Sequence, residues 1–375
     1  MKDIIREAVA RAENEGRQLT QLVPPDMSRR GKANDTDLES VLHSLVTRIK
    51  VFGCGGGGTN TIARLSEADL GDVELVAINT DAQHLLSARV PHKMLIGRHL
   101  TRGLGAGALP QIGEEAAQET EEDLRNVLSG SDMVFITCGL GGGTGTGSAP
   151  VVAKLAREAG ALTIAVCTLP FSVEGAVRME NAEAGLARLR DVCDTVIVIP
   201  NDKLLEVAPR LPLAAAFRVA DELLVRSIRG ITEMITKPGL VNLDFADLKT
   251  IMKKGGVAMI GLGESDGDDR ATEAVMEALN SPLLEIDISD ASGALVNVVG
   301  GPDMTLREAE QVVEEIYGRI NPDARIIWGT SVNPALERTI RVMLVITGVK
   351  SKQILGPSAA KQQKQRKDIG LDFVL

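Results

Sequence analysis

Two glycine-rich runs constrain this chain more than any other feature. Gly53-Cys54-Gly55-Gly56-Gly57-Gly58-Thr59-Asn60 follows an apolar run at residues 49–52 and opens a helical pattern at 61–65. Gly139-Leu140-Gly141-Gly142-Gly143-Thr144-Gly145-Thr146-Gly147-Ser148 follows a second apolar run, 133–137, and opens a helical pattern at 149–158. In both, a strand feeds a helix through bare backbone, whose amides can close around phosphate oxygens. Gly53, Gly55 and Gly58 taken alone have dinucleotide spacing, so an NAD-dependent oxidoreductase is the first reading to weigh. A ligand-free turn is the bland alternative, but four consecutive glycines cost chain entropy that a plain turn does not require. The second run decides against both. A dinucleotide enzyme needs one such loop for its pyrophosphate, whereas two loops from separate strands suit a triphosphate held from both sides. No Lys follows the second run, so it is not a Walker loop.

Around these loops the pattern predicts a doubly wound, mostly parallel α/β sheet, with apolar runs at 49–52, 74–78, 133–137, 162–168 and 195–199 separated by helices. Leu213, Phe217, Ala220, Leu224, Ile228, Ile231 and Ile235, three or four apart, predict a long central helix stopped by Pro238-Gly239. Beyond it, strands near 256–263, 294–299, 325–329 and 341–348, and a helix opened by Thr305 and Glu308 in capping-box spacing, predict a smaller α+β domain. The predicted organisation is an N-terminal extension over 1–47, a nucleotide-binding domain with the central helix over 48–236, a C-terminal domain over 237–350, and a tail over 351–375. In that tail a basic linker, residues 361–367, leads to the apolar end Ile369-Gly370-Leu371-Asp372-Phe373-Val374-Leu375. An apolar end on a polar leash reads as a docking peptide or as a frayed terminus.

The 375 residues carry a formal charge of −10, which argues against a surface that neutralises many phosphates of a nucleic acid. Cys54, Cys138, Cys167 and Cys193 sit singly, without metal or disulfide spacing, which fits a reducing compartment. No apolar run approaches the roughly 20 residues of a membrane span and no export signal opens the chain, so an intracellular, cytoplasmic protein is expected.

Gly141-Gly142-Gly143-Thr144-Gly145-Thr146-Gly147 matches the tubulin signature. Ala77-Ile78-Asn79-Thr80-Asp81-Ala82-Gln83, Thr101-Arg102-Gly103-Leu104-Gly105-Ala106-Gly107, Pro170-Phe171 with Glu174-Gly175 and Arg178, and Ile199-Pro200-Asn201-Asp202-Lys203 resemble FtsZ nucleotide loops, in FtsZ order. The resemblance covers about residues 48–350, is closest to archaeal members of the tubulin/FtsZ family, and implies their fold. It implies GTP or GDP as ligand, held by Gly56, Gly57, Gly58, Thr59, Asn60, Gly105, Ala106, Gly107, Gly142, Gly143, Thr144, Gly145, Thr146, Gly147, Glu174, Arg178, Asn201, Phe217 and Asp221. Mg2+ would ride mainly on phosphates and water, since no protein cage is visible.

Individual positions have physical readings beside the resemblance. Glu174 and Arg178, one helical turn apart, form a ribose-facing pair or a surface salt bridge. Phe217 and Asp221, likewise four apart, offer a plane for a purine and an acceptor for the two N–H donors that guanine has and adenine lacks on that edge. Thr144 and Thr146 hydroxyls can donate to phosphate. In Asn242-Leu243-Asp244-Phe245-Ala246-Asp247, Asp244 can be a simple N-cap with Asp247 in an acidic first turn. The resemblance instead implies that Asn242, Asp244 and Asp247 enter the pocket of the next subunit and supply catalysis. Leu109 departs from the family, replacing a usual Asn before Pro110, and Thr59 stands where many relatives have Asn or Gly. The implied partners are further copies of the chain, stacked head to tail, and a membrane adaptor on Ile369 to Leu375. The implied role is a GTPase forming a mid-cell division ring, with a cell-shape or cytoskeletal paralogue as the alternative.

Overall fold

The computed structural model describes residues 47–349 except 68–69, 208–211, 237–243, 254, 285–287 and 289–290. Residues 1–46 of the expected extension, Pro238-Gly239, Asn242, the 361–367 linker and Ile369 to Leu375 therefore lie outside the described residues.

Six strands, β1 (Ile49–Cys54), β2 (Glu74–Asn79), β3 (His92–Leu95), β4 (Met133–Gly139), β5 (Leu162–Leu169) and β6 (Thr195–Pro200), pair in parallel in the order β3-β2-β1-β4-β5-β6. All eight positions of β5 are buried, as a strand covered on both faces requires. Helices α1 (Gly55–Leu65), α2 (Ala82–Ser87), α3 (Arg98–Thr101), α4 (Pro110–Glu119), α5 (Glu121–Leu128), α6 (Thr144–Glu158), α7 (Ala176–Val192), α8 (Asn201–Val207) and the central α9 (Leu213–Thr236) cross between and over them. Alternate strand residues sort onto two cores. Val51, Ala77, Phe135 and Ile164 pack with Ile62 and Leu65 of α1 and with Leu224, Ile228 and Ile231 of α9. Phe52, Val76, Ile136 and Ala165 face Ala116, Leu124, Val152, Ala153 and Leu186 of α4 to α7. Each fully buried Leu or Ile contributes about 1.5–3 kcal/mol, so the three- and four-residue spacing in α9 suffices to hold it on the sheet. Phe217, which has the same spacing, leaves the stripe and stays 39% exposed.

The C-terminal half adds α10 (Phe245–Met252), β7 (Gly256–Ser265), α11 (Arg270–Leu279), β8 (Gly293–Gly300), α12 (Leu306–Tyr317), β9 (Arg325–Val332) and β10 (Ile340–Thr347). It shares one sheet with the first half, because β7 pairs in parallel with β6 and the order runs on as β7-β10-β8-β9. The capping box of α12 forms, with Thr305 accepting from the Glu308 amide and Glu308 from the Thr305 amide. Strand β3 was not anticipated: it is an edge strand with exposed His92 and Lys93 and no apolar run. Among the described residues no helix is long and apolar enough to cross a membrane.

Candidate functional site

In an open α/β sheet a ligand finds room beyond the carboxyl ends of the strands, where strand order reverses. Here β1 lies between β2 and β4, with the chain leaving β1 to one side and returning on the other. A cavity of about 380 Å3 opens there. Gly56, Gly57 and Asn60 after β1, Gly139 to Gly145 without Gly141 at and beyond the end of β4, Thr168 and Pro170 at and beyond the end of β5, and Asn201 after β6 line it. Glu174, Arg178, Phe217, Ala220 and Asp221 complete the wall.

The two glycine loops touch backbone to backbone. Gly55 has φ +72° and a Cβ on it would meet the Gly145 amide nitrogen at 2.6 Å, while a Cβ on Gly145 would meet the Cys54 carbonyl oxygen at 2.9 Å. Gly142 differs, since a Cβ there meets nothing within 4 Å. Its bare backbone therefore serves the cavity rather than the packing. Thr144 opens α6, and its hydroxyl lies 2.6 Å from that of Thr80, tying the second loop to the end of β2.

The opposite end of the cavity is aromatic and acidic. Phe217 meets the buried Phe171 edge to face, centroids 5.1 Å apart at 85°, which fixes the plane it offers. One turn on, Asp221 lies 3.5 Å from Arg64 Nη2. Burial raises its carboxyl above the ordinary 3.8, and Arg64 opposes that shift. Asn201 is 4% exposed and its Oδ1 has no protein partner. An orphan acceptor on a cavity wall is a place for a ligand hydroxyl or N–H. Glu174 pairs with Arg178, and its Oε1 also accepts from the Phe171 amide at 2.9 Å. The salt-bridge reading of that pair holds, and both side chains also line the cavity.

Several expected ligand residues stand behind the wall. Thr59 is fully buried and donates to the Gly55 carbonyl at 2.8 Å. Thr146 is buried and accepts from the Gly141 amide at 2.9 Å, so its hydroxyl secures the loop rather than reaching for phosphate. Gly58 and Gly147 are packing glycines, whose added Cβ atoms would fall 2.5 Å from the Thr137 carbonyl oxygen and 2.0 Å from the Pro110 carbonyl oxygen. Gly105, Ala106 and Gly107 do not line the cavity; a Cβ on Gly143 would meet the Ala106 Cβ and the Leu109 amide nitrogen, each at 2.9 Å, so this segment braces the second loop. Leu109 itself is 55% exposed. Asp244 caps α10, accepting from the Ala246 amide at 3.1 Å, and Asp247 sits in the first turn; neither lines the cavity. Gly139, Leu140, Thr168, Pro170 and Ala220 line it too, although none was among the expected ligand residues; Gly139, Leu140 and Pro170 stand in the loops that the sequence marks. For Thr168 and Gly139 the signal was their place at the ends of parallel strands. Among the described residues no group of three or more His, Cys, Asp or Glu side chains could hold a metal ion.

Residues 48–209 match the Tubulin/FtsZ family, GTPase domain, and residues 256–350 match the FtsZ family, C-terminal domain. The chain is 59% identical over 374 residues to "Cell division protein FtsZ 1" of Archaeoglobus fulgidus, covering 100% of this chain and 99% of that one. It is 57% identical over 376 residues to "Cell division protein FtsZ" of Haloferax mediterranei, covering 100% of both. Among solved structures it resembles "FtsZ dimer, empty" of M. jannaschii with a TM-score of 0.80 at 56% identity, covering 84% of this chain and 92% of that one.

Proposed function

Because the chain belongs to the tubulin/FtsZ family, we propose that it binds GTP in this cavity, polymerises head to tail and hydrolyses the nucleotide where two subunits meet, as part of a cell-division ring. One observation carries the reading: bare backbone at one end of the cavity faces an aromatic plane and a half-buried carboxylate at the other. Phosphates would lie against the amides of Gly142 to Gly145 and of Gly56 and Gly57, where helix α6 directs its N-terminus. Guanine would lie by Phe217 and donate its ring N–H and exocyclic amine to Asp221. Glu174 has lone pairs left for ribose hydroxyls, and Asn201 Oδ1 gains its missing partner.

Among the described residues the carboxylates lining this wall are Glu174 and Asp221, which this reading gives to ribose and guanine, so none is left to accept a proton from water. Asp244 and Asp247, exposed at the start of α10, would supply that carboxylate to the neighbour's nucleotide. Water oxygen attacks the γ-phosphorus, the bond to the β,γ-bridging oxygen breaks, GDP leaves and the carboxylate takes the water proton. Asn242 would complete the loop. Among the described residues no group of side chains forms a cage for Mg2+; the ion would travel with the phosphates, and no step is assigned to it.

The tail segment Ile369 to Leu375 would dock on a membrane adaptor, and the protein would act in the cytoplasm at the division site. Full-length identity of 57–59% to proteins named for cell division favours that role over a cytoskeletal paralogue. Purified protein should carry guanine nucleotide, sediment as polymer with GTP and release phosphate only when polymerised. Copurified NAD without guanine nucleotide, or phosphate release by the monomer, overturns the proposal.

A further inference from the structure

The structure assigns to His84 the orientation of Asn60, and with it which end of the Asn60 amide meets the nucleotide; the inference rests on the guanine-nucleotide reading above. Asn79 ends β2 and is 3% exposed. Its Oδ1 accepts from the backbone amides of Thr80 at 2.9 Å and Asp81 at 3.3 Å. Backbone amides only donate, so this end of the Asn79 side chain must be oxygen. Its Nδ2 then faces His84 Nδ1 at 3.1 Å. A donor needs an acceptor, so Nδ1 carries no proton and the neutral ring bears its proton on Nε2. Nε2 lies 3.2 Å from Asn60 Oδ1 and donates to it.

The amide group of Asn60 is thereby polarised. With Oδ1 engaged, the Nδ2 donors are what Asn60 offers to the cavity it lines. His84 is itself held in place, since its backbone amide donates to the capping carboxylate of Asp81 at 3.0 Å. Orientation thus passes in series from two backbone amides through Asn79 and His84 to Asn60, across β2, α2 and α1. The wall then presents an acceptor, Asp221, and a fixed donor, Asn60, to a guanine nucleotide that carries both complements. His84 is a positioning residue and touches the nucleotide only through Asn60.

The test uses the full chain, titrated with N-methylanthraniloyl-GDP, alongside steady-state GTP hydrolysis. His84→Leu removes both ring nitrogens and should weaken GDP binding about three- to tenfold, the scale of one lost hydrogen bond. The loss should fall on KM with kcat within about twofold, because the contact is made equally in the ground and transition states. His84→Gln, whose amide N–H reaches the position of Nε2 and can still donate to Asn60, should restore most of the affinity. In an Asn60→Ala background, His84→Leu should cost nothing further. A Gln variant as weak as the Leu variant, or costs that add in the double variant, overturns the assignment. If His84→Leu does not fold, His84→Asn, too short to span both partners, takes its place. Failure of the unsubstituted protein to bind GDP would instead remove the proposed function itself, so the two failures are distinct.

Discussion

At Asp221 burial and function pull in opposite directions. Burial raises its carboxyl above the ordinary 3.8, favouring the protonated form, whereas guanine donors require the ionised one. The sign follows: GDP affinity should fall as pH is lowered toward the raised value, by up to about tenfold per pH unit below it. Titrations at decreasing pH read this directly. Asp221→Asn, which cannot accept from both N–H groups, should cost about 1–3 kcal/mol and flatten the pH dependence. Asp221 and Phe217 were legible in the sequence because four-residue spacing on a long helix fixes a shared face. The hydroxyl bonds of Thr59 and Thr146 within their own loops were not legible, because a motif gives residue type and order, not the direction of a hydroxyl. The Asn79, His84 and Asn60 series joins three elements and leaves no periodic trace. Burial also explains the four free cysteines, which the sequence shows as isolated. Cys54, Cys138 and Cys167 stand side by side in register on β1, β4 and β5, with the Cys54 and Cys167 thiols pushed up to about 12. None of the four should react with Ellman's reagent until the protein unfolds.

Among elements, α11 and α12 are joined by one buried arginine. Arg270, 8% exposed at the start of α11, donates to Glu308 at 2.7 Å, to Asp303 at 2.7 Å and to the Arg338 carbonyl. The Arg270 guanidinium, with the Thr305 cap, holds the Glu308 carboxyl down at about 2 against an ordinary 4.5. A depressed carboxylate contributes stability that is complete above 4.5 and is lost as pH falls from there through about 2. Arg270→Met should destabilise by about 2–4 kcal/mol in urea titrations at neutral pH, and the deficit should shrink in acid as the carboxylates protonate. The cap itself was readable from Thr305 and Glu308 alone, because it is local. Its arginine was not, being 33 residues from Asp303 and 38 from Glu308. Strand β3 and the pairing of β7 with β6 escaped the sequence for related reasons: one lacks an apolar run, and the other is a long-range contact that strand patterns do not specify.

For the whole molecule the decisive expectation is shared catalysis. The acidic start of α10 does not line the cavity, so a contact joining the two in different subunits would be heterologous and, unless rotation closed it into a ring, would propagate as an open filament. Hydrolysis per subunit should collapse on dilution, followed by phosphate release. Asp244→Ala should bind GTP and polymerise yet hardly hydrolyse. Mixed in equal amounts with Gly145→Ser, whose added side chain would crowd the Cys54 carbonyl oxygen in the pocket while leaving α10 sound, about a quarter of random contacts unite both sound halves, and activity should reappear. An inactive mixture of polymerising variants would sink the idea. The continuous sheet has a mechanical meaning in such a filament. Tension carried by the sheet itself crosses from β6 to β7, where the pairs in register are Thr195 with Gly256, Val196 with Val257 and Ile197 with Ala258, against eight between β7 and β10. Under load this short seam, backed by the core that Ile228 and Ile231 share with both halves, is where a stretched subunit should part before its nucleotide-holding strands are disturbed.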